Sequence, residues 1–136
     1  MIALHYLVLG CWAVWLGSMV FFSFVVAPTV FGALGKEAAA PLMRAIFPRY
    51  YAVGLACGGT ALAAALATGA GLRLTVPLVI GLVLVAYARQ VITPALNDAR
   101  DGEDAERFSQ LHVLSVRLNM IVMALLLLAG SIAGRF

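Results

Sequence analysis

Long apolar windows separated by short polar stretches set the pattern of this chain. Free of charged residues, they run from Met1 to Gly35, Tyr50 to Leu72, Leu74 to Ala88 and Leu118 to Gly134. About 20 apolar residues cross a hydrocarbon core of roughly 30 Å. The pattern therefore predicts membrane-spanning helices over about 3–26, 49–68, 74–96 and 110–133, in a single domain of residues 1–136 with no soluble part. The expected fold is all-α: an integral membrane four-helix up-down bundle.

Punctuation along the chain refines this. Pro28 is expected to stop the first helix, because proline lacks a backbone donor. Ala13 and Gly17 offer that helix a small face for close approach, and Trp12 and Trp15 lie deep enough to serve packing. In the first polar stretch, KEAAAPLMRAIF reads as a short surface helix with Leu42, Ala45 and Ile46 toward the membrane. Phe47-Pro48-Arg49-Tyr50-Tyr51 opens the second helix, with proline in the first turn and tyrosines at the headgroup level. Gly54, Gly58, Ala61 and Ala65 form a small-residue stripe, expected to be used inside the bundle in preference to a second copy. A turn at Gly69 to Gly71 leads to the third helix. There Arg89 snorkels near the boundary, and Pro94 ends or bends the helix. Asn97 to Arg107 reads as a solvated loop, and its acids lack the alternating spacing of a calcium-binding EF-hand.

Composition agrees. The chain is 64% hydrophobic and 11% charged, with a mean hydropathy of +1.04, too apolar for a soluble domain of this length. The N-terminal run has no basic flank and is long, so it is expected to be a first span instead of a cleaved signal. Lys36, Arg44, Arg49, Arg89, Arg100, Arg107 and Arg117 fall on one side, against Arg73 and Arg135 on the other. By the positive-inside rule the crowded side is cytoplasmic, which places both termini outside and both charged loops inside. Arginine greatly outnumbers lysine, and with abundant Ala, Leu and Gly this fits a GC-rich bacterial genome and the inner membrane. Cys11 and Cys57 do not form a disulfide framework, and their expected depths differ by roughly 10 Å.

Candidate chemistry gathers in FSQLHVLSVRLNM, residues 108–120. At about 100° per residue, Phe108, His112, Ser115 and Asn119 share one face within roughly 60°, with Arg117 opposite. With alternating helices, a polar cytoplasmic mouth collects Arg49, Tyr50, Arg89, Asn97, His112, Ser115 and Asn119. Arg49, Arg89 and Arg117 fall at similar depth. They read either as boundary residues that snorkel or as a shared basic pocket for an anionic lipid headgroup or small solute. Asn119, deeper than Arg117, is expected to find a partner on another helix. His5 lies at the opposite end from His112, so the two do not clamp one haem; a haem would need His112 with an unusual partner. No His/Cys/carboxylate set matches zinc. No nucleophile–base motif is present, and no carboxylate lies inside a span, which argues against a proton-coupled exporter. Met19, Cys57, Met120 and Met123, at comparable depth, are either gap fillers or a soft-metal set.

IFPRYY at the second helix and H-x2-S-x3-N at the fourth (His112, Ser115, Asn119) resemble the transmembrane protein 205-like family. Phe108, the Pro94 to Asn97 region and the Trp15, Gly17, Phe21, Phe22 pattern add to the resemblance, which covers essentially the whole chain. It implies a four-helix integral membrane protein and carries no settled activity. The hydrophobic plan is also similar to copper-resistance-D-like proteins and the haem-dependent membrane protoporphyrinogen oxidases. The leading expectation is a non-enzymatic binding or transport protein with no cofactor. The alternatives are a haem-linked redox protein using His112 and a structural subunit of a membrane complex. The lipid bilayer is the expected partner, an anionic lipid or small solute the expected ligand, and a homodimer a plausible assembly; nothing points to nucleic acid.

Overall fold

The computed structural model describes residues 1–133. Every element among them is helical: α1 (Ile2–Phe21), α2 (Ala27–Ala67), α3 (Leu72–Tyr87), α4 (Thr93–Asp101) and α5 (Ala105–Ala133). Five-residue π turns, Phe22–Val26 and Ala88–Ile92, join α1 to α2 and α3 to α4. Three helical stretches are long and apolar enough to cross a membrane: Ile2–Ala67, Leu72–Asp101 and Ala105–Ile132. Side chains such as Val14, Val83, Leu127 and Leu128 point outward from them. These features mark a membrane protein, whose apolar surface faces lipid in place of water.

The stop expected at Pro28 does not form, and at Pro94, expected to end or bend its helix, the chain also stays helical. Neither Pro28 nor Pro94 ends its helix; each lies just beyond a π turn. A proline in a helix removes a donor and pushes on the carbonyl four residues back. The wider turn absorbs this: the Ala27 N–H reaches Phe22 O, the Thr93 N–H reaches Ala88 O, and the buried Thr93 hydroxyl donates to the same Ala88 oxygen at 2.9 Å. Helix therefore continues past both prolines.

Helical geometry in the first stretch is interrupted at Gly35, with φ 76° and ψ 168°. Only glycine adopts that region without strain. Beyond it the chain folds back on itself. Ala39 and Met43 bury against Phe22, flanked by Val30 and Phe31 from before the break. The surface helix expected over KEAAAPLMRAIF is thus an extension of the second arm, held by Ala39 and Met43; Leu42 and Ala45 are exposed and Ile46 half-buried. Gly35→Ala is expected to lose at least about 1 kcal/mol, read as a lower melting temperature in detergent. An unchanged midpoint would show that the break does not need glycine.

The core is centred on Trp15, 1% exposed. A Cβ on Gly54 would meet its Nε1 at 2.7 Å, one on Gly58 its Cζ3 at 2.5 Å, and one on Gly81 its Cη2 at 3.3 Å. The Gly54/Gly58 stripe is therefore used within the chain, as its spacing predicts, and its partner is a tryptophan. Ala61 and Ala65 continue the buried face. Trp12 turns toward α5, lies over Gly130 and donates Nε1–H to Leu126 O at 2.6 Å. Both tryptophans serve packing. The expected Ala13–Gly17 face is exposed instead, with nothing near Gly17: on α1 the neighbouring helices come to the indoles, not to the small residues.

The turn between α2 and α3 falls where Gly69–Gly71 predicts, with Gly69 at φ 71°. The solvated loop expected over Asn97–Arg107 shrinks to Gly102–Asp104, because α4 runs to Asp101 and α5 starts at Ala105. Asp104 caps α5 by accepting the Arg107 N–H at 3.1 Å, satisfying one of the first-turn donors that lack partners.

Candidate functional site

Asn119 ties three helical segments together inside the apolar part of the chain. Its Oδ1 accepts the Tyr50 hydroxyl of α2 at 2.7 Å. Its Nδ2 donates to Ser23 Oγ, in the first π turn, at 2.9 Å. An amide has both an acceptor and donors, so one side chain can hold two hydroxyls at once. The partner that its depth predicts is thus double, and Ser23 is the half that sequence reasoning missed. A serine five residues before a helical proline was the available signal, since a polar side chain within a span needs a partner.

Aromatic rings frame this tie. Tyr50 stacks on Phe22 with ring centres 4.5 Å apart, and Phe47 approaches Phe22 edge-on at 5.5 Å. Tyr51, 6% exposed, has Ser115 beside its hydroxyl. Below them lies a cavity of about 10 Å³, lined by Trp15, Met19, Tyr50, Tyr51, Ala88 and Asn119 among others. That is room for about one water molecule, in a wall that is mainly apolar.

The predicted mouth residues divide. Tyr50, Ser115 and Asn119 come together. Arg89 stands beside them: its Nε donates to Pro48 O at 3.2 Å, bridging the second π turn to α2. Arg49, next to Pro48, is exposed and turns back to Ala45 O at 2.7 Å. Arg117 is exposed and makes no hydrogen bond or ion pair among the described residues. The three arginines therefore do not converge on one pocket. Asn97, on α4, is half-buried and makes no hydrogen bond among the described residues. His112 is exposed and stacks on Phe108 of its own helix with ring centres 6.1 Å apart. Two turns separate it from Asn119.

The α5 stripe exists as a face, but its members do different things: Phe108 meets Arg100, Ser115 meets Tyr51 and Asn119 meets Tyr50 and Ser23. His5 sits in the first turn of α1, with Nδ1 against Met1 O. The end of α1 meets α5 at Asn119, so His5 lies at the other end of the molecule from His112. No three His, Cys, Asp or Glu side chains among the described residues are grouped to hold a metal. Of the soft-metal set, Met19 and Met123 are buried and Met120 faces outward. Cys11 and Cys57 are free, half-buried thiols.

A family model described as Domain of unknown function (DUF4149) matches residues 10–105. The chain belongs to this family. The matched region holds Trp15, Ser23, Pro28, Tyr50, Gly54, Gly58 and Arg89, and so most of the core and both partners of Asn119; Asn119 itself lies outside it. An uncharacterized protein of Aquifex aeolicus (strain VF5) is 29% identical over 122 residues, which cover 89% of each chain. No solved structure matches.

Proposed function

We propose that this DUF4149 member is a four-pass membrane protein that binds, and in doing so passes, a small polar ligand at the cleft around Tyr50 and Asn119. The carrying observation is the Ser23–Asn119–Tyr50 chain of hydrogen bonds beside a small, mainly apolar cavity that Tyr50 and Asn119 help to line. Polar groups at such depth mark ligand paths more often than lipid-facing surface. The break at Gly35 supports counting the first stretch as two passes, giving an up-down bundle. Its arginine-rich end then lies in the cytoplasm of a bacterial inner membrane and both termini outside. Arg89 and Arg49 form the rim. The cavity holds one water as it stands, so a larger ligand enters when the arms part. The two π turns, each beside the tie or the rim, supply the joints; such turns cluster at functional sites. The resemblance to transmembrane protein 205-like proteins supports the membrane plan and names no ligand.

A thermal-shift screen of small polar solutes on the detergent-purified protein tests this. At about 100 times its dissociation constant, a ligand adds roughly 2.7 kcal/mol to folded-state stability. A solute that raises the wild-type midpoint and leaves Tyr50→Phe and Asn119→Leu unmoved is the expected result. If every stabilising solute acts equally on the variants, the site is elsewhere. A Soret band in the purified protein, lost in His112→Ala, would replace this reading with the haem-linked one.

A further inference from the structure

Arg89 lies within the apolar stretch Leu72–Asp101, on the second π turn, and is half-buried. Its Nε donates to Pro48 O at 3.2 Å, and it makes no other hydrogen bond and no ion pair among the described residues. Arg44, by contrast, has Asp101 at 2.7 Å. The bond to Pro48 sets where the guanidinium sits. Pro48 precedes Tyr50 and Tyr51 by less than one helical turn. Both tyrosines line the cavity, as does Ala88, the residue before Arg89. The charge is therefore held at the edge of the Tyr50–Asn119 cleft. Carboxylates are far from it. The chain has no Asp or Glu between residues 38 and 97, and none after Glu106. The π turn packs against α2, α3, α4 and α5. On α3 there is no acid; elsewhere the nearest are Asp98, nine residues from Arg89, Glu106, nine from Ser115 on α5, and Glu37, eleven from Pro48 on α2. Nine residues of helix span roughly 13 Å. Arg49, next to Pro48, adds a second positive charge.

A guanidinium keeps its charge at any working pH, and a part-buried charge without a counter-charge is costly. Arg89 uses only its Nε–H on the protein. The Nη1/Nη2 edge keeps its donors, and such an edge makes two parallel hydrogen bonds to the oxygens of a carboxylate or phosphate. The cavity wall nearby is mainly apolar, which suits an apolar body behind a charged head. We propose that the ligand of the cleft is an oxyanion with a short apolar body, its head held by Arg89; this rests on Tyr50 and Asn119 forming the binding cleft. An organic carboxylate and the phosphate of a membrane lipid share that chemistry.

The test is a thermal-shift titration of the full chain in mild detergent with two matched pairs: butanoate against butanamide, and phosphatidylglycerol against phosphatidylcholine. Only the first of each pair carries a net negative charge. In at least one pair the anion is expected to stabilise the wild type more than its partner does. In Arg89→Gln that excess is expected to vanish, the anion binding about tenfold more weakly. Arg117→Gln removes an exposed arginine and is expected to keep the whole excess. Arg89→Lys keeps the charge without the fork: a reduced excess there supports the site even if Arg89→Gln does not fold, and an undiminished one overturns it. An excess for butanoate assigns a soluble carboxylate, and one for phosphatidylglycerol a lipid headgroup; either supports the site. No excess in the wild type, or one that survives in Arg89→Gln, would overturn it. The cleft and its anion fail separately. If butanoate and butanamide act alike and both lose their effect in Tyr50→Phe, the cleft stands and the anion falls. An Arg89-dependent excess untouched by Tyr50→Phe and Asn119→Leu overturns the cleft, and with it the place of Arg89 there.

Discussion

Gly58→Val is expected to lower stability by about 3 kcal/mol, at the upper end of what overpacking a filled core costs. A Cβ at this position would lie 2.5 Å from Trp15 Cζ3 and 2.7 Å from Leu82 Cδ2. Leu82 ends in a flexible side chain and can give way. Trp15 cannot: at 1% exposure it is held between the Gly54/Gly58 face of α2 and Gly81 of α3. The added methyl groups therefore push α1 from α2 along their shared seam. The measurement is the unfolding midpoint in a denaturing detergent titration. Gly59→Ala, next in sequence with nothing within 4 Å, is the control. It is expected to be neutral or to stabilise by about 0.5–1 kcal/mol through helix propensity. Trp15→Leu alone should also destabilise. Combined with Gly58→Val it should lose less than the sum, because the smaller side chain vacates the space that valine needs. Additive losses would mean that the two residues do not share a contact.

Asn119→Leu is expected to lose about 2 kcal/mol, since two hydrogen bonds disappear and the Tyr50 and Ser23 hydroxyls, which lie within reach of each other, lose their shared amide partner. Leucine keeps nearly the same volume, so packing contributes little. Tyr50→Phe and Ser23→Ala each remove one partner and should each lose less. In double-variant cycles, Tyr50→Phe in the Asn119→Leu background should lose less than it does alone, because Asn119 is already gone and only Ser23 remains beside the hydroxyl. If Tyr50→Phe is as damaging in that background as alone, the hydroxyl serves something other than Asn119. The same variants serve the ligand screen. A solute that acts through the cleft must lose its effect in Asn119→Leu even at temperatures where that variant is fully folded.

What was legible from the sequence follows from local rules. Lipid demands continuous helices and long apolar runs, so the helical class and the presence of long apolar helices could be read from charge-free windows alone. The small-residue stripe at Gly54 and Gly58 was legible as a contact face, because close helix approach in lipid needs small side chains. The depth and need of Asn119 were legible too, since an amide inside a span requires a partner.

Only the tertiary structure decided which groups meet. No periodicity assigns Trp15 to Gly54, Gly58 and Gly81, or Asn119 to both Tyr50 and Ser23, because a helix face specifies direction and not neighbour. Continuation past Pro28 also escaped a local reading. A proline's missing donor predicts an interruption, and only the packed neighbours select a π turn over an end. For the same reason the first reversal falls at Gly35, where a glycine-only backbone angle lets Ala39 and Met43 reach Phe22. The arginines show the limit most plainly. Counting them gives an expected orientation and depth, but Arg49 turns back to Ala45 O, Arg89 reaches Pro48 O and Arg117 is exposed. The ion pair that does form, Arg44 with Asp101 at 2.7 Å, joins residues 57 apart in sequence and comes only from the fold.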